Sequence, residues 1–289
     1  MSHVVRVPPA VFSIAGGALQ VHALPAASDN LCWLLVDPVA SQAWVVDGPD
    51  AAATLAACER LGVRLVGVLN THTHGDHVGI NRDLLRQGLL EGLRVTGARA
   101  TAAAVPGLTE AVEDGDEITV AGATALVLRT DGHIDGHLCF HFDGAIFCGD
   151  TLFTAGCGRL FDGPASAMFA SLSRLRQLPD ATRVCCAHEY TWDNLRFAWL
   201  VESGNTALAD RVVQVRAGRS EGRSAVPSTI GEERATNPFL RWDVATVRAA
   251  VIAAWPGQRL TSDVDVFAAL RAWKDRGDYR EIDDGALPG

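Results

Sequence analysis

The chain has 289 residues, of which 48% are hydrophobic and 20% charged, with a net charge of −9 and a sequence pI of about 5.4. That balance suits a globular protein with a sizeable core, built as one large domain or two ordinary ones. It excludes nucleic acid as the main partner, because phosphate binding needs a basic face, and no run approaches the ~18 apolar residues of a membrane span.

In chain order, residues 10–48 read as strands joined by turns, with apolar runs at 31–36 and 43–46 bounded by Asp and Gly. Residues 51–61 are Ala-rich and follow Pro49-Asp50, a helix start. A strand over 65–69 leads into Thr71-His72-Thr73-His74-Gly75-Asp76-His77, and a helix is predicted over 78–87. Strands follow near 118–120, 124–128, 137–142 and 145–147, then helical periodicity at 166–178 and a strand at 183–186. Composition shifts near residue 190. Helices are predicted over 192–202, 207–216, 244–254 and 264–275, with a polar loop at 218–228 and a tail, 283–289, expected to fray. Seven scattered cysteines, an odd number, suit a reducing compartment better than a disulfide framework. The first residues lack the pattern of a secretory signal, so cytoplasm is the expected location.

The His-rich loop carries the chemistry. Imidazole and carboxylate are ligands for zinc and similar first-row metals. Alternate residues of an extended segment share a direction, so His72 and His74 point together. Gly75 lets the chain turn Asp76 and His77 elsewhere, and one short loop can thus serve two neighbouring ions. His133, Asp150 and His188 each follow a short apolar run, where a buried strand ends and a side chain can be aimed rigidly.

The motif at 71–77, followed by separate His133, Asp150 and His188, resembles the metallo-β-lactamase superfamily. Further segments are similar to its hydroxyacylglutathione hydrolase (glyoxalase II) family: Gly149-Asp150-Thr151-Leu152-Phe153 with Gly156-Cys157-Gly158-Arg159-Leu160-Phe161, Cys186-Ala187-His188-Glu189-Tyr190, Thr236-Asn237-Pro238-Phe239-Leu240-Arg241, and Arg271-Ala272-Trp273-Lys274-Asp275. The resemblance covers roughly residues 10–280. It implies an α+β fold, an αββα sandwich of two mixed sheets between helices with a small helical C-terminal domain. Residues 1–190 would form the catalytic domain and 191–289 the substrate-binding one. It also implies two divalent metal ions, zinc first with iron or manganese as alternatives. One ion would be held by His72, His74 and His133 and the other by Asp76, His77 and His188, with Asp150 bridging.

The activity so implied is hydrolysis of S-(2-hydroxyacyl)glutathione thioesters by a metal-bound hydroxide, with Asp76 and Asp150 as the catalytic carboxylates and S-D-lactoylglutathione giving glutathione and D-lactate. Arg159, Tyr190, Arg271 and Lys274 match the family's glutathione-contacting positions; Phe161 stands where some relatives carry Tyr. Arg271 and Lys274, the only lysine, share a helix face at i, i+3, and the competing expectation is a solvated face. His137 is expected to be structural, Asp131 and Asp135 to shape the His133 loop, Cys157 to fill a turn, and Asn194 either to position the peptide or to pack a helix. A monomer acting on a small molecule is expected. The rivals are a persulfide dioxygenase with one iron, and a nuclease or lactonase on the same fold.

Overall fold

Alternation along β-strands places the apolar side chains on two facing sheets. The computed structural model describes residues 3–289. The first sheet takes its strands in chain order: β1 (Phe12–Ile14), β2 (Leu19–Ala26), β3 (Asn30–Asp37), β4 (Gln42–Val46), β5 (Arg64–Leu69), β6 (Arg94–Ala98) and β7 (Glu110–Val112). The first four pair antiparallel, while β4 to β7 run parallel. Parallel neighbours need long crossovers, supplied in part by α1 (Ala52–Leu61) and α2 (Gly79–Arg86).

The second sheet contains β8 (Glu117–Val120), β9 (Ala123–Arg129), β10 (Leu138–Phe142) and β11 (Ala145–Gly149). After β11 a small hairpin, β12 (Leu152–Phe153) and β13 (Gly156–Cys157), leaves the sheet. Helix α3 (Ala165–Leu175) then returns the chain to β14 (Arg183–Cys186), which pairs parallel to β11. The sheet's far edge is β15 (Ser228–Thr229), antiparallel to β14.

Strand β3 shows why these residues make a sandwich. Leu31, Trp33 and Leu35 belong to the core between the sheets, while Cys32, Leu34 and Val36 pack with Ile80 and Leu84 of α2 on the outer side. A strand buried on both faces reads as an unbroken apolar run. Trp33 donates its indole N–H to Cys186 O at 2.9 Å, tying the two sheets where the site will lie.

Five helices complete the chain: α4 (Thr191–Glu202), α5 (Thr206–Ser220), α6 (Ile230–Thr236), α7 (Ala245–Ala254) and α8 (Asp263–Arg276). Helix α8 starts at a Ser262/Asp265 capping box and stops at Gly277, whose φ of 84° is the left-handed C-cap that glycine favours. Its Phe267 lies 6.0 Å from Phe169 of α3 and 5.9 Å from Phe239, so the helical region is packed against the sandwich.

Two expectations need correcting. The tail does not fray: Leu287 is buried among Leu195, Leu208 and Val212, and Asp284 accepts from Trp192 Nε1 and from Arg196. The segment at 218–228 is not all loop, since α5 runs on to Ser220 and β15 begins at Ser228. The helical region also contributes one short strand, β15, to the second sheet. All seven cysteines are buried and unpaired. No helix among the described residues is long and apolar enough to cross a membrane.

Candidate metal centre

Four strand ends bring the seven predicted donors together in two groups. His72, His74, His133 and Asp150 form one; Asp76, His77 and His188 form the other. Asp150 stands between them. Its Oδ2 lies 3.3 Å from His133 Nε2, and its Oδ1 lies 3.5 Å from both His77 Nε2 and His188 Nε2. Within the groups, His74 Nδ1 is 3.0 Å from both His72 Nε2 and His133 Nε2, and Asp76 Oδ2 is 3.3 Å from His188 Nε2.

Hydrogen bonds on the outer nitrogens fix which lone pairs face inward. The Thr71 hydroxyl donates to Asp47 Oδ2 at 2.6 Å, so at 3.0 Å from His72 Nδ1 it is an acceptor. His77 Nδ1 donates to Asp47 Oδ2 at 2.9 Å, His188 Nδ1 to Asp29 Oδ1 at 2.8 Å, and His133 Nδ1 to Arg159 O at 2.8 Å. Each of these four rings therefore keeps Nδ1 occupied and turns Nε2 to the centre, the arrangement a metal-binding histidine needs, while His74 turns its Nδ1 there.

Those inward atoms suit cations. Buried His77 Nε2 and Asp150 Oδ1 have no hydrogen-bond partner among the described residues. A lone pair facing a carboxylate oxygen in a buried site is costly without a positive charge between them. Donors around a four-coordinate zinc at ~2.0–2.1 Å lie ~3.3 Å apart, and the separations here run from 3.0 to 3.8 Å. The same demand for positive charge appears in the protonation of the protein alone. Burial opposes charge on His188, but Asp150, Asp29 and Asp76 outweigh it and push the imidazole up to about 9. Burial and the neighbouring imidazoles hold His72 well below the ordinary histidine range.

The backbone around Asp150 leaves no room for substitution. Gly149 has a φ of 47°, and a Cβ there would meet Thr71 Oγ1 at 2.4 Å and His137 Nε2 at 2.8 Å. A Cβ on Gly158 would lie 2.0 Å from Asp150 O and 3.1 Å from His133 Nδ1. His137 is structural: fully buried, it accepts the Asp150 backbone N–H on Nε2 at 3.2 Å and stacks on His72 at 4.7 Å.

Two adjoining cavities meet at this centre. The one over the donors, about 260 Å³, is lined by His74, Asp76, His133, Asp150 and His188, with Phe161 on the rim. The other, about 330 Å³, is lined by Cys157, Asn194, Arg271 and Lys274 among others. Phe153, Arg159 and Tyr190 line both. Arg271 and Lys274 are only 5% and 8% exposed, so they do not form a solvated helix face. Lys274 Nζ donates to Asn194 Oδ1, and Arg271 Nη1 donates to Cys157 O at 3.1 Å. Tyr190 stacks on His188 with ring centroids 4.7 Å apart.

A family model described as the metallo-beta-lactamase superfamily matches residues 28–188, and one described as the hydroxyacylglutathione hydrolase C-terminus matches residues 189–277. A hydroxyacylglutathione hydrolase of Synechococcus sp. is 46% identical over 266 residues, spanning 89% of this chain and 100% of the relative. That of Gloeobacter violaceus is 47% identical over 260 residues, with the same two shares. The chain belongs to the hydroxyacylglutathione hydrolase family. The crystal structure of ETHE1 from Myxococcus xanthus matches with a TM-score of 0.58 at 25% identity, covering 89% of this chain and 99% of that one, which bears on the fold.

For this family member, sequence reasoning named every donor in the two groups but missed what orients them. Asp47, in the left-handed region at φ 56°, holds both Thr71 and His77; Asp29 holds His188; Asn30 Nδ2 donates to Asp76 Oδ2 at 3.1 Å. Their only sequence signal is a polar residue at the end of an apolar run. Of the flanking aspartates, Asp131 closes the His133 loop by accepting the Gly136 N–H at 2.8 Å, while Asp135 offers its backbone N–H to Asp162 at 3.4 Å.

Proposed function

We propose that this chain hydrolyses S-(2-hydroxyacyl)glutathione thioesters, with S-D-lactoylglutathione giving glutathione and D-lactate, the last step of methylglyoxal detoxification. The observation that carries this reading is the junction of a two-group donor centre with a buried cationic pocket through Phe153, Arg159 and Tyr190. The relatives' names and the match to the hydroxyacylglutathione hydrolase C-terminus support it.

One divalent ion would be held by His72, His74 and His133 and a second by Asp76, His77 and His188, with Asp150 shared. Zinc is the first expectation, and iron and manganese also suit His and carboxylate donors. Bound there, the pair supplies a water acidic enough to attack at neutral pH and positive charge for the oxyanion that develops on the thioester carbonyl.

The protein's own groups do the rest. Asp47, Asp29, Thr71 and Arg159 O hold the imidazole protons on Nδ1, so the inward nitrogens stay bare. Asp76 and Asp150 supply the negative charge that retains the cations. Glutathione has two carboxylates and an ammonium group, and Arg271, Lys274 and Arg159 offer the complementary charge, with the Tyr190 hydroxyl as a polar contact. Held there, the peptide carries its thioester over the donor groups through the shared wall. The departing thiolate is a stable anion and needs no dedicated acid.

We assign the chemistry to residues 1–190 and glutathione recognition to residues 191–289, a division supported by the two family matches meeting between 188 and 189. A persulfide dioxygenase would use one redox-active ion, and the second donor group argues against it. The test compares purified, metal-replete protein on S-D-lactoylglutathione, a β-lactam and a phosphodiester. Thioester hydrolysis should be far faster than the others. Failure to release D-lactate at any metal loading would refute the reading, and sulfite formation from glutathione persulfide and oxygen would replace it with the dioxygenase.

A further inference from the structure

The hairpin of β12 and β13 has just two residues between its strands, Thr154 and Ala155, and Ala155 has a φ of 57°. Such a turn cannot satisfy its own backbone, and a buried unpaired carbonyl or N–H is costly. Here the C-terminal region supplies the partners. Asn194 Nδ2 donates to Thr154 O at 2.9 Å, and Arg271 Nη1 to Cys157 O. Glu233 Oε2 accepts the Ala155 N–H at 2.8 Å. Asn237 Nδ2 donates to Gly156 O at 2.9 Å and lies 3.4 Å from Phe153 O.

Asn237 is itself fixed. Its Nδ2 also lies 2.9 Å from Glu233 Oε2, and its Oδ1 accepts the Phe239 N–H at 3.0 Å. Glu233 is completely buried and paired with Arg211 at 2.5 Å. The hairpin in turn leads into Gly158 and Arg159, whose carbonyl holds His133. Phe153 and Cys157 line the cationic pocket with Asn194, Arg271 and Lys274. Asn194 touches both sides: it holds Thr154 O with one end and Lys274 with the other, and a Cβ on Gly156 would sit 2.5 Å from its carboxamide carbon.

We propose that Asn237, oriented by Glu233, is a positioning residue for glutathione binding that acts by fixing the turn of this hairpin. The role rests on the functional reading above and deepens it. Asn237 belongs to neither donor group and lines neither cavity, reaching the pocket only through the hairpin backbone. Loosening the turn shifts Phe153 and Cys157, and with them the registration of Asn194, Arg271 and Lys274, while Asp47 and Asp29 still hold His77 and His188.

The test uses the full-length, metal-replete protein and its Asn237→Ala variant on two substrates: S-D-lactoylglutathione, and the D-lactoyl thioester of N-acetylcysteamine, which lacks the peptide. Expected are a KM for the glutathione thioester raised about tenfold, the scale of one lost buried hydrogen bond, with kcat and metal content near wild type. The short thioester should be turned over unchanged, and amide hydrogen exchange at Ala155 and Gly156 should accelerate. A folded variant with unchanged KM, or an equal loss of kcat on both substrates, overturns the positioning role. If Asn237→Ala does not accumulate folded, the milder Asn237→Ser is read by the same criteria. Wild-type protein inert towards the glutathione thioester would instead defeat the functional reading, so the two failures are distinct.

Discussion

His77 Nε2 and Asp150 Oδ1 stand 3.5 Å apart in the buried floor of the site, and neither has a hydrogen-bond partner among the described residues. His77 Nδ1–H donates to Asp47 Oδ2 at 2.9 Å, which leaves Nε2 facing the carboxylate. The two atoms repel unless a cation lies between them, and the opposite oxygen of Asp150 turns to the first donor group. Removing Asp150 should therefore act on both groups at once. Asp150→Ala is expected to lose or scramble both ions, read by elemental analysis of the purified protein. Retention of one tightly held ion at full activity would sink the paired arrangement.

The residues behind the imidazoles should separate the two groups. Asp29 supports His188 alone, whereas Asp47 supports His77 and, through Thr71, His72. Loss of such a support costs ~10–100-fold in metal affinity. In chelator competition Asp29→Ala should weaken one ion and spare the other, while Asp47→Ala should weaken both. Identical two-ion losses in both variants would show that these supports are not separable.

Lys274 gives a pH signature. Burial, with the Arg271 guanidinium beside it, pushes the ammonium group down to about 7. Only the charged form attracts a carboxylate, so KM for a glutathione thioester should be flat below pH 7 and climb above it. Lys274→Arg should remove the climb, and Lys274→Ala should give a high KM at every pH, both read from steady-state profiles. Stability carries the opposite cost. An unfolded lysine keeps its proton to about 10.4, so between roughly 7 and that value unfolding takes up a proton and stability rises with pH. The penalty is fully present below 7. Lys274→Met should flatten that slope in urea unfolding at a series of pH values.

The docked tail should contribute to stability. Leu287 is 4% exposed among Leu195, Leu208 and Val212. Truncating a buried leucine typically costs 2–5 kcal/mol, and a chain-end site that can collapse falls at about 2. Leu287→Ala should lower Tm by a few degrees, and Asp284→Ala less, because its partners Trp192 and Arg196 remain near solvent. An unchanged Tm for both would return the tail to the frayed state that its sequence suggests.

The difference between what was legible and what was not has a physical basis. His72, His74, Asp76 and His77 crowd one short stretch, so local spacing reveals them, and His133, Asp150 and His188 stand at the ends of long enough apolar runs. The two sheets follow from the same runs, because strands buried on both faces leave unmistakable patterns. Asp47 and Asp29 are single carboxylates whose roles exist only once β4 and the β2–β3 turn meet the donor loops. The hairpin at 152–157 and β15 have strands too short for any periodicity to register. Leu287 is one apolar residue in a polar tail, and its docking depends on a groove assembled by α4 and α5.

The most direct test of the central claim, that a buried cationic pocket in the helical region holds glutathione for a metal centre in the sandwich, is steady-state hydrolysis of S-D-lactoylglutathione by the Arg271→Ala/Lys274→Ala double variant beside wild type. Contacts kept equally in ground and transition states change KM and leave kcat alone. One lost charged contact is worth about 1.5–3 kcal/mol, so KM should rise at least tenfold with kcat and metal content nearly unchanged. A double variant that keeps the wild-type KM would contradict the account, because Arg271 and Lys274 would then hold nothing that the substrate brings.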